Sequence, residues 1–171
     1  MILRQTRLVQ FYRGAKLLVM EVADIIKEAH IIGEESTFAE ALTKMIRSQT
    51  NTLLVVDEEG KLTGELSVAD FLDAVVPMDV DGDDVLEHFA SEDQFEAAIK
   101  EARDTPVSLF MSYDFDTVGI HDGLFEVAAT AVSRQRARIP VIDKEGRPVG
   151  IISRQGLKHI LGDFLNIKDK A

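Results

Sequence analysis

The chain has 171 residues, 46% of them hydrophobic and 29% charged, enough apolar surface for one medium domain or two small units sharing a core. Its formal net charge of −11 argues against a general nucleic-acid surface, which needs a basic stripe to displace counterions, and the lack of cysteine excludes disulfides, thiol nucleophiles and cysteine-ligated zinc. No apolar run approaches the roughly 20 residues of a membrane-spanning helix or forms a secretory signal, so the expectation is a soluble, cytoplasmic protein.

Residues 1–19 carry Arg4, Arg7, Arg13 and Lys16 and no acid. With Leu8, Phe11, Tyr12, Leu17 and Leu18, this basic segment reads as an amphipathic helix packed on its own domain or on a dimer mate. Two other readings stay open: a helix lying on an anionic membrane, and an upstream extension ahead of Met20.

Next comes a short strand candidate, "HIIG" (30–33). Thr37 with Glu40 three residues on is a capping-box helix start, and Phe38, Leu42, Met45 and Ile46 recur at helical spacing. "LLVVD" (53–57) is a nearly continuous apolar strand, which implies burial on both faces. "EEG" turns the chain and "KLTGELS" returns. Ser67 with Asp70 then starts a helix that buries Val68, Phe71, Leu72 and Val75.

Residues 78–105 hold ten acids against Lys100 and Arg103. Ser91 with Gln94 caps a helix there, with Phe95, Ile99 and Ala102 on one face, so this acidic linker is partly folded. "FDTVGI" (115–120) is the next strand candidate, followed by a helix capped by Asp122, the buried strand "RIPVID", the turn "KEG", the strand "RPVGIIS" and the closing helix "SRQGLKHILGDFL". Gly162 is expected to bend or end that last helix.

The two halves repeat. A shift of 86 positions lays residues 37–70 on 123–156 without a gap. Eight of those 34 positions are identical: Glu40/Glu126, Gln49/Gln135, Val55/Val141, Asp57/Asp143, Glu59/Glu145, Gly60/Gly146, Gly64/Gly150 and Ser67/Ser153. Turn glycines kept in register make chance a poor explanation. The fold class is therefore α+β: two pseudo-symmetric β-α-β-β-α repeats packed through their sheets, with an N-terminal helical segment and an acidic helical linker. The expected divisions are 1–19, a first repeat at 20–77, the linker at 78–105 and a second repeat at 106–171.

This pattern resembles a tandem pair of cystathionine-β-synthase (CBS) domains, a Bateman module. "RIPVIDKEGRPVGIIS" (138–153) is close to the family's central pattern. "MEVADIIKEA" (20–29) and "TPVSLFMS" (105–112) resemble the openings of a first and a second repeat. The resemblance implies ligand sensing without catalysis, in clefts between the repeats that hold AMP, ADP, ATP or S-adenosylmethionine as a regulatory ligand with no required cofactor. It also implies a homodimer acting on an enzyme or transporter not identifiable from this chain. The family's ribose signature, a glycine, then Ser or Thr, then Asp, is met by Gly64, Ser67 and Asp70.

Two adjacent ribose hydroxyls suit one carboxylate, and a helix start offers N–H groups to a phosphate. The same spacing equally satisfies a plain capping box. In the second repeat Gly150 and Ser153 match but Gly156 stands where the acid belongs, so one site, centred on Ser67 and Asp70, is expected. Arg134, Arg136 and Arg138 alternate into the strand and would face one way if extended, toward ligand phosphates or toward the acidic linker. Thr52 aligns with Arg138, and Ile32, Val118 and Ile120 offer either an adenine lining or plain core.

Other classes fit less well. The four histidines are dispersed, and no catalytic triad order, zinc motif or glycine-rich phosphate loop appears, so no enzyme and no metal site is expected. "DVDGDDVLEHFA" (79–90) has Asp84 where a calcium loop needs glycine and Ala90 where it needs glutamate. The alternative to a nucleotide sensor is a nucleotide-free dimerisation or partner-docking module.

Overall fold

The computed structural model describes residues 10–12, 15–17, 22–76, 89, 91–133, 138–165 and 167. Strands β1 (Gln10–Tyr12) and β2 (Ala15–Leu17) pair antiparallel, with Tyr12 opposite Ala15. The described part of the basic segment is thus a small ribbon where a helix was expected. Adjacent Phe11 and Tyr12 favour a strand. Most of that segment, the acidic run at 79–84 and Arg134 and Arg136 lie outside the described residues.

The first repeat runs β3 (Ile31–Gly33), α2 (Phe38–Ser48), β4 (Thr52–Val56), β5 (Leu62–Ser67) and α3 (Val68–Asp73), after a short α1 (Val22–Ile25). The linker helix is α4 (Glu92–Glu101). The second repeat runs β6 (Val118–Gly119), α5 (Leu124–Ser133), β7 (Arg138–Ile142), β8 (Pro148–Ser153) and α6 (Arg154–Phe164). Each repeat builds one three-stranded sheet with its middle strand parallel to the first and antiparallel to the third.

Local signals explain most of these elements. The box before α2 closes both ways: Glu40 N–H donates to Thr37 Oγ1 (3.3 Å), and Thr37 N–H donates to Glu40 Oε2 (2.8 Å). Gln94 N–H donates to Ser91 Oγ (3.4 Å) at the start of α4. Leu53, Leu54 and Val55 are buried in succession, as are Ile139, Pro140 and Val141, which is the mark of a strand covered on both faces. The hairpin turns are set by Gly60 and Gly146 at φ +79° and +81°, where any side chain would be strained.

Two expectations change. Helix α6 passes through Gly162, whose carbonyl then accepts the closing bonds from Leu165 and Ile167 N–H. Asp122 does not bond into the first turn of α5; its carboxylate accepts Gly119 N–H (2.7 Å).

The two cores do not follow the sequence divisions. Each sheet is completed by the segment leading into the other repeat. Lys27 pairs with Ile151 of β8 through two backbone bonds (2.8 and 2.9 Å), and Val22 and Ile25 join the second core with Val127, Ile139, Ile152 and Ile160. Reciprocally, Ser112 pairs with Glu65 of β5 (2.9 Å both ways), and Val107 and Met111 join the first core with Phe38, Leu53, Leu66 and Phe71. Three short strands and two helices bury too little alone, and the exchanged segment supplies a fourth edge and the missing apolar volume.

This exchange makes a prediction. Ile25→Ala should destabilise the protein by about 2–5 kcal/mol. Hydrogen exchange should rise first in β7 and β8 amides, although Ile25 lies in sequence beside the first repeat. Loss confined to β4 and β5 would contradict the exchange.

Candidate functional site

Strand β5 ends at Ser67, whose extended backbone (φ −115°, ψ 171°) hands the chain into α3. One turn on, Asp70 Oδ2 accepts from both Ser67 N–H (2.5 Å) and Ser67 Oγ–H (2.6 Å). The carboxylate is held through one oxygen at a half-buried position, and Oδ1 lies outside this pair of bonds. Sheet register places Thr52 directly opposite Ser67. Thr50 steadies Thr52 in turn: its hydroxyl bonds the Thr52 carbonyl (3.0 Å) and accepts from Thr52 N–H (3.4 Å).

The same register in the second sheet places Arg138 opposite Ser153. Arg138 Nη1 donates to Thr52 Oγ1. The two residues stand 86 apart, the repeat shift itself, so this bond joins equivalent positions and straddles the pseudo-twofold axis. A row of four side chains results: Ser67, Thr52, Arg138, Ser153. Asp70 adjoins one end of it and Gly156 the other.

The two ends differ in chemistry. Ser67 Oγ is satisfied by Asp70, whereas Ser153 Oγ is shut off from solvent with no hydrogen-bond partner among the described residues. Leaving such a group unmet costs about 1–3 kcal/mol. A side chain at position 156 would be tight, because a Cβ there would lie 3.2 Å from both Ile25 O and Ile152 Cγ2, and these neighbours would have to give by a few tenths of an ångström. Gly156 therefore suits the close approach of the exchanged segment.

The remaining expected site residues are placed as follows. Gly64 is buried beneath the other lead segment: a Cβ would lie 2.6 Å from Met111 Sδ and 3.0 Å from Ser112 O. Gly150 answers it, 2.7 Å from Lys27 O. Both glycines admit the crossing strand, which gives Gly64 a packing role beside its place in the ribose signature. Ile32 and Val118, proposed to line an adenine, expose only 7% and 3% of their surface and belong to the two cores, while Ile120 is half-buried at the edge of the second. Helix α3 is six residues long, and Ser67 N–H is taken by Asp70, which removes one helix-start donor from a phosphate. Among the described residues, Arg138 is the cation at this row.

Thr50 was missed in the sequence, though the alternation Thr50-Asn51-Thr52 at a strand start was a legible sign of a local hydroxyl bond. The role of the Ile25 carbonyl had no such sign.

A family model described as CBS domain matches residues 21–77 and 103–163. The chain is similar to a curated, uncharacterized protein of Methanocaldococcus jannaschii, 23% identical over 133 residues, which are 78% of this chain; the chain spans only 27% of that relative's length. Among solved structures it is similar to a CBS domain-containing protein of unknown function from Kribbella flavida (20% identity, TM-score 0.70, covering 84% of this chain and 99% of that one). It is also similar to CBSX2 in complex with AMP (20%, TM-score 0.61, 87% and 98%) and to the cytosolic domain of the Mg2+ channel MgtE in complex with ATP (24%, TM-score 0.60, 82% and 48%). At these identities the structural likenesses establish the fold.

The Ser67–Asp70 geometry makes its own prediction. Ser67→Ala and Asp70→Ala should each cost about 0.5–2 kcal/mol in urea unfolding. The double variant should lose clearly less than the sum, because both remove the same bonds. Additive losses would mean that the two side chains act separately.

Proposed function

This chain belongs to the CBS domain family, and we propose that it is a regulatory module that binds one adenosine-containing ligand (AMP, ADP, ATP or S-adenosylmethionine) beside the Ser67–Thr52–Arg138 row. The observation that carries this reading is the Asp70 carboxylate, fixed through Oδ2 with Oδ1 left over, one strand from Thr52 and the Arg138 guanidinium. A ribose diol suits that carboxylate, and an ionised phosphate suits that guanidinium. Adenosine ligands in two structures of this fold support the class of ligand. The second repeat has Gly156 where the acid would stand, at a position crowded by the end of α1, so binding is to one site. Regulation, with no catalysis of its own, follows as the module's work, through a separate effector enzyme or transporter.

The ligand is tested by thermal unfolding. At 100 times its dissociation constant, a ligand of the folded state adds about 2.7 kcal/mol. Millimolar AMP, ATP or S-adenosylmethionine should raise Tm, Asp70→Ala should abolish the rise, and Thr130→Ala, on the outer helix α5, should keep it. No shift with any of the three would remove the nucleotide reading.

The homodimer has support of its own. Adjacent helices α5 and α6 expose Phe125, Val132 and Leu161 at 76%, 79% and 63%, whereas α4 packs Phe95, Ala98 and Ile99 onto the first core. A second copy presenting the same face would cover these side chains. Light scattering should show a dimer, and Phe125→Glu with Val132→Glu should yield a monomer that still responds to the ligand. A wild-type monomer at high micromolar concentration would refute the dimer.

A further inference from the structure

A groove between α2 and the linker helix α4 lies apart from the paired sheets. Its apolar half, about 280 Å³, has Phe38, Leu42 and Ile46 on one wall and Ile99 on the other. A second cavity of about 530 Å³ shares Ala39, Thr43 and Arg103 with it and adds Lys44 and Arg47. One continuous groove therefore runs from an apolar end to a cationic end.

The described part of the fold pairs none of these three cations with an acid. Among the described residues, Lys44, Arg47 and Arg103 form no ion pair, while Lys100 at the rim is matched by Glu96 (2.5 Å). Glu40, the acid on the wall, keeps its charge while it accepts Thr37 N–H, so three cations face one carboxylate. Among the described residues, such a cationic groove stands out in a chain of net charge −11. The internal repeat provides the control. At the shift of 86, Ile46 falls on Val132, but Lys44 and Arg47 fall on Thr130 and Ser133. The apolar position is common to both outer helices, whereas the positive charge was added to one.

We propose that this groove binds a small amphiphilic anion, with a single acyl-type chain along Leu42, Ile46 and Ile99 and a carboxylate or phosphate headgroup among Lys44, Arg47 and Arg103. Arg47 and Arg103 present planar forks suited to either headgroup. The apolar half, about 280 Å³, has room for one slender chain, whereas a partner helix docks through several bulky anchors at once. Since its walls come from both α2 and α4, the ligand clamps the linker helix onto the first repeat.

The test is a titration of the full-length protein with dodecanoate and with dodecyl phosphate, each below its micellar concentration, followed by amide NMR. Saturable shifts should centre on Thr43, Ile46, Ile99 and Arg103. The two probes separate a carboxylate from a phosphate headgroup. Lys44→Glu with Arg47→Glu should weaken binding at least tenfold, and Ile46→Asp should do the same; Lys44→Ala with Arg47→Ala serves if the charge reversal perturbs folding. Any AMP-induced rise in Tm should be unchanged in these variants, which separates this site from the nucleotide site. Undiminished binding by the charge-reversed variant, or equal binding of dodecyltrimethylammonium, would overturn the headgroup assignment and the proposal with it. Equal binding of inorganic phosphate alone would overturn the acyl chain. Tighter binding of an acidic amphipathic peptide than of either probe would replace the small molecule with a protein partner.

Discussion

The structure depends on an exchange of short segments between two half-cores. A three-stranded sheet with two helices buries too little surface to stand alone, and each sheet here is finished by the stretch that leads into the opposite repeat. That reciprocity ties the halves into one folding unit. It also explains why Gly64 and Gly150 recur in register: at both positions a crossing backbone passes within 3.0 Å of where a Cβ would sit.

The exchange is nearly symmetric, and its small asymmetry shapes the candidate site. At one end of the central row, Asp70 grips Ser67 by two bonds. At the other end, the last carbonyl of α1 crowds position 156, where glycine stands, and Ser153 Oγ is left without a partner among the described residues. Arg138, paired with Thr52 across the axis, belongs to the second repeat yet faces the end that kept its acid. One repeat thus sets its cation on the threonine of the other. The outer faces are divided in the same spirit, with α4 packed over the first core and no equivalent helix over α5 and α6 among the described residues.

Much of this was legible in the sequence. The capping box of α2, the buried runs of β4 and β7, the glycine turns and the order of elements all follow from contacts within a few residues, and the 86-residue shift disclosed the pseudo-symmetry before any coordinates. The pairing of Ser67 with Asp70 was legible for the same reason, since three residues on a nascent helix decide it. The glycines at 64, 150 and 156 were visible, but the packing around them was not. Seen locally, they were a ligand motif and a lost carboxylate; their neighbours, Met111, Lys27 and Ile25, are distant in the chain. The sequence by itself determined the two repeats, their elements and the one retained acid, because those rest on local periodicity and capping. Only the tertiary structure decided which segment completes which core, how α1 crowds position 156 and that Arg138 meets Thr52, because steric contact between remote segments leaves no periodic trace along the chain.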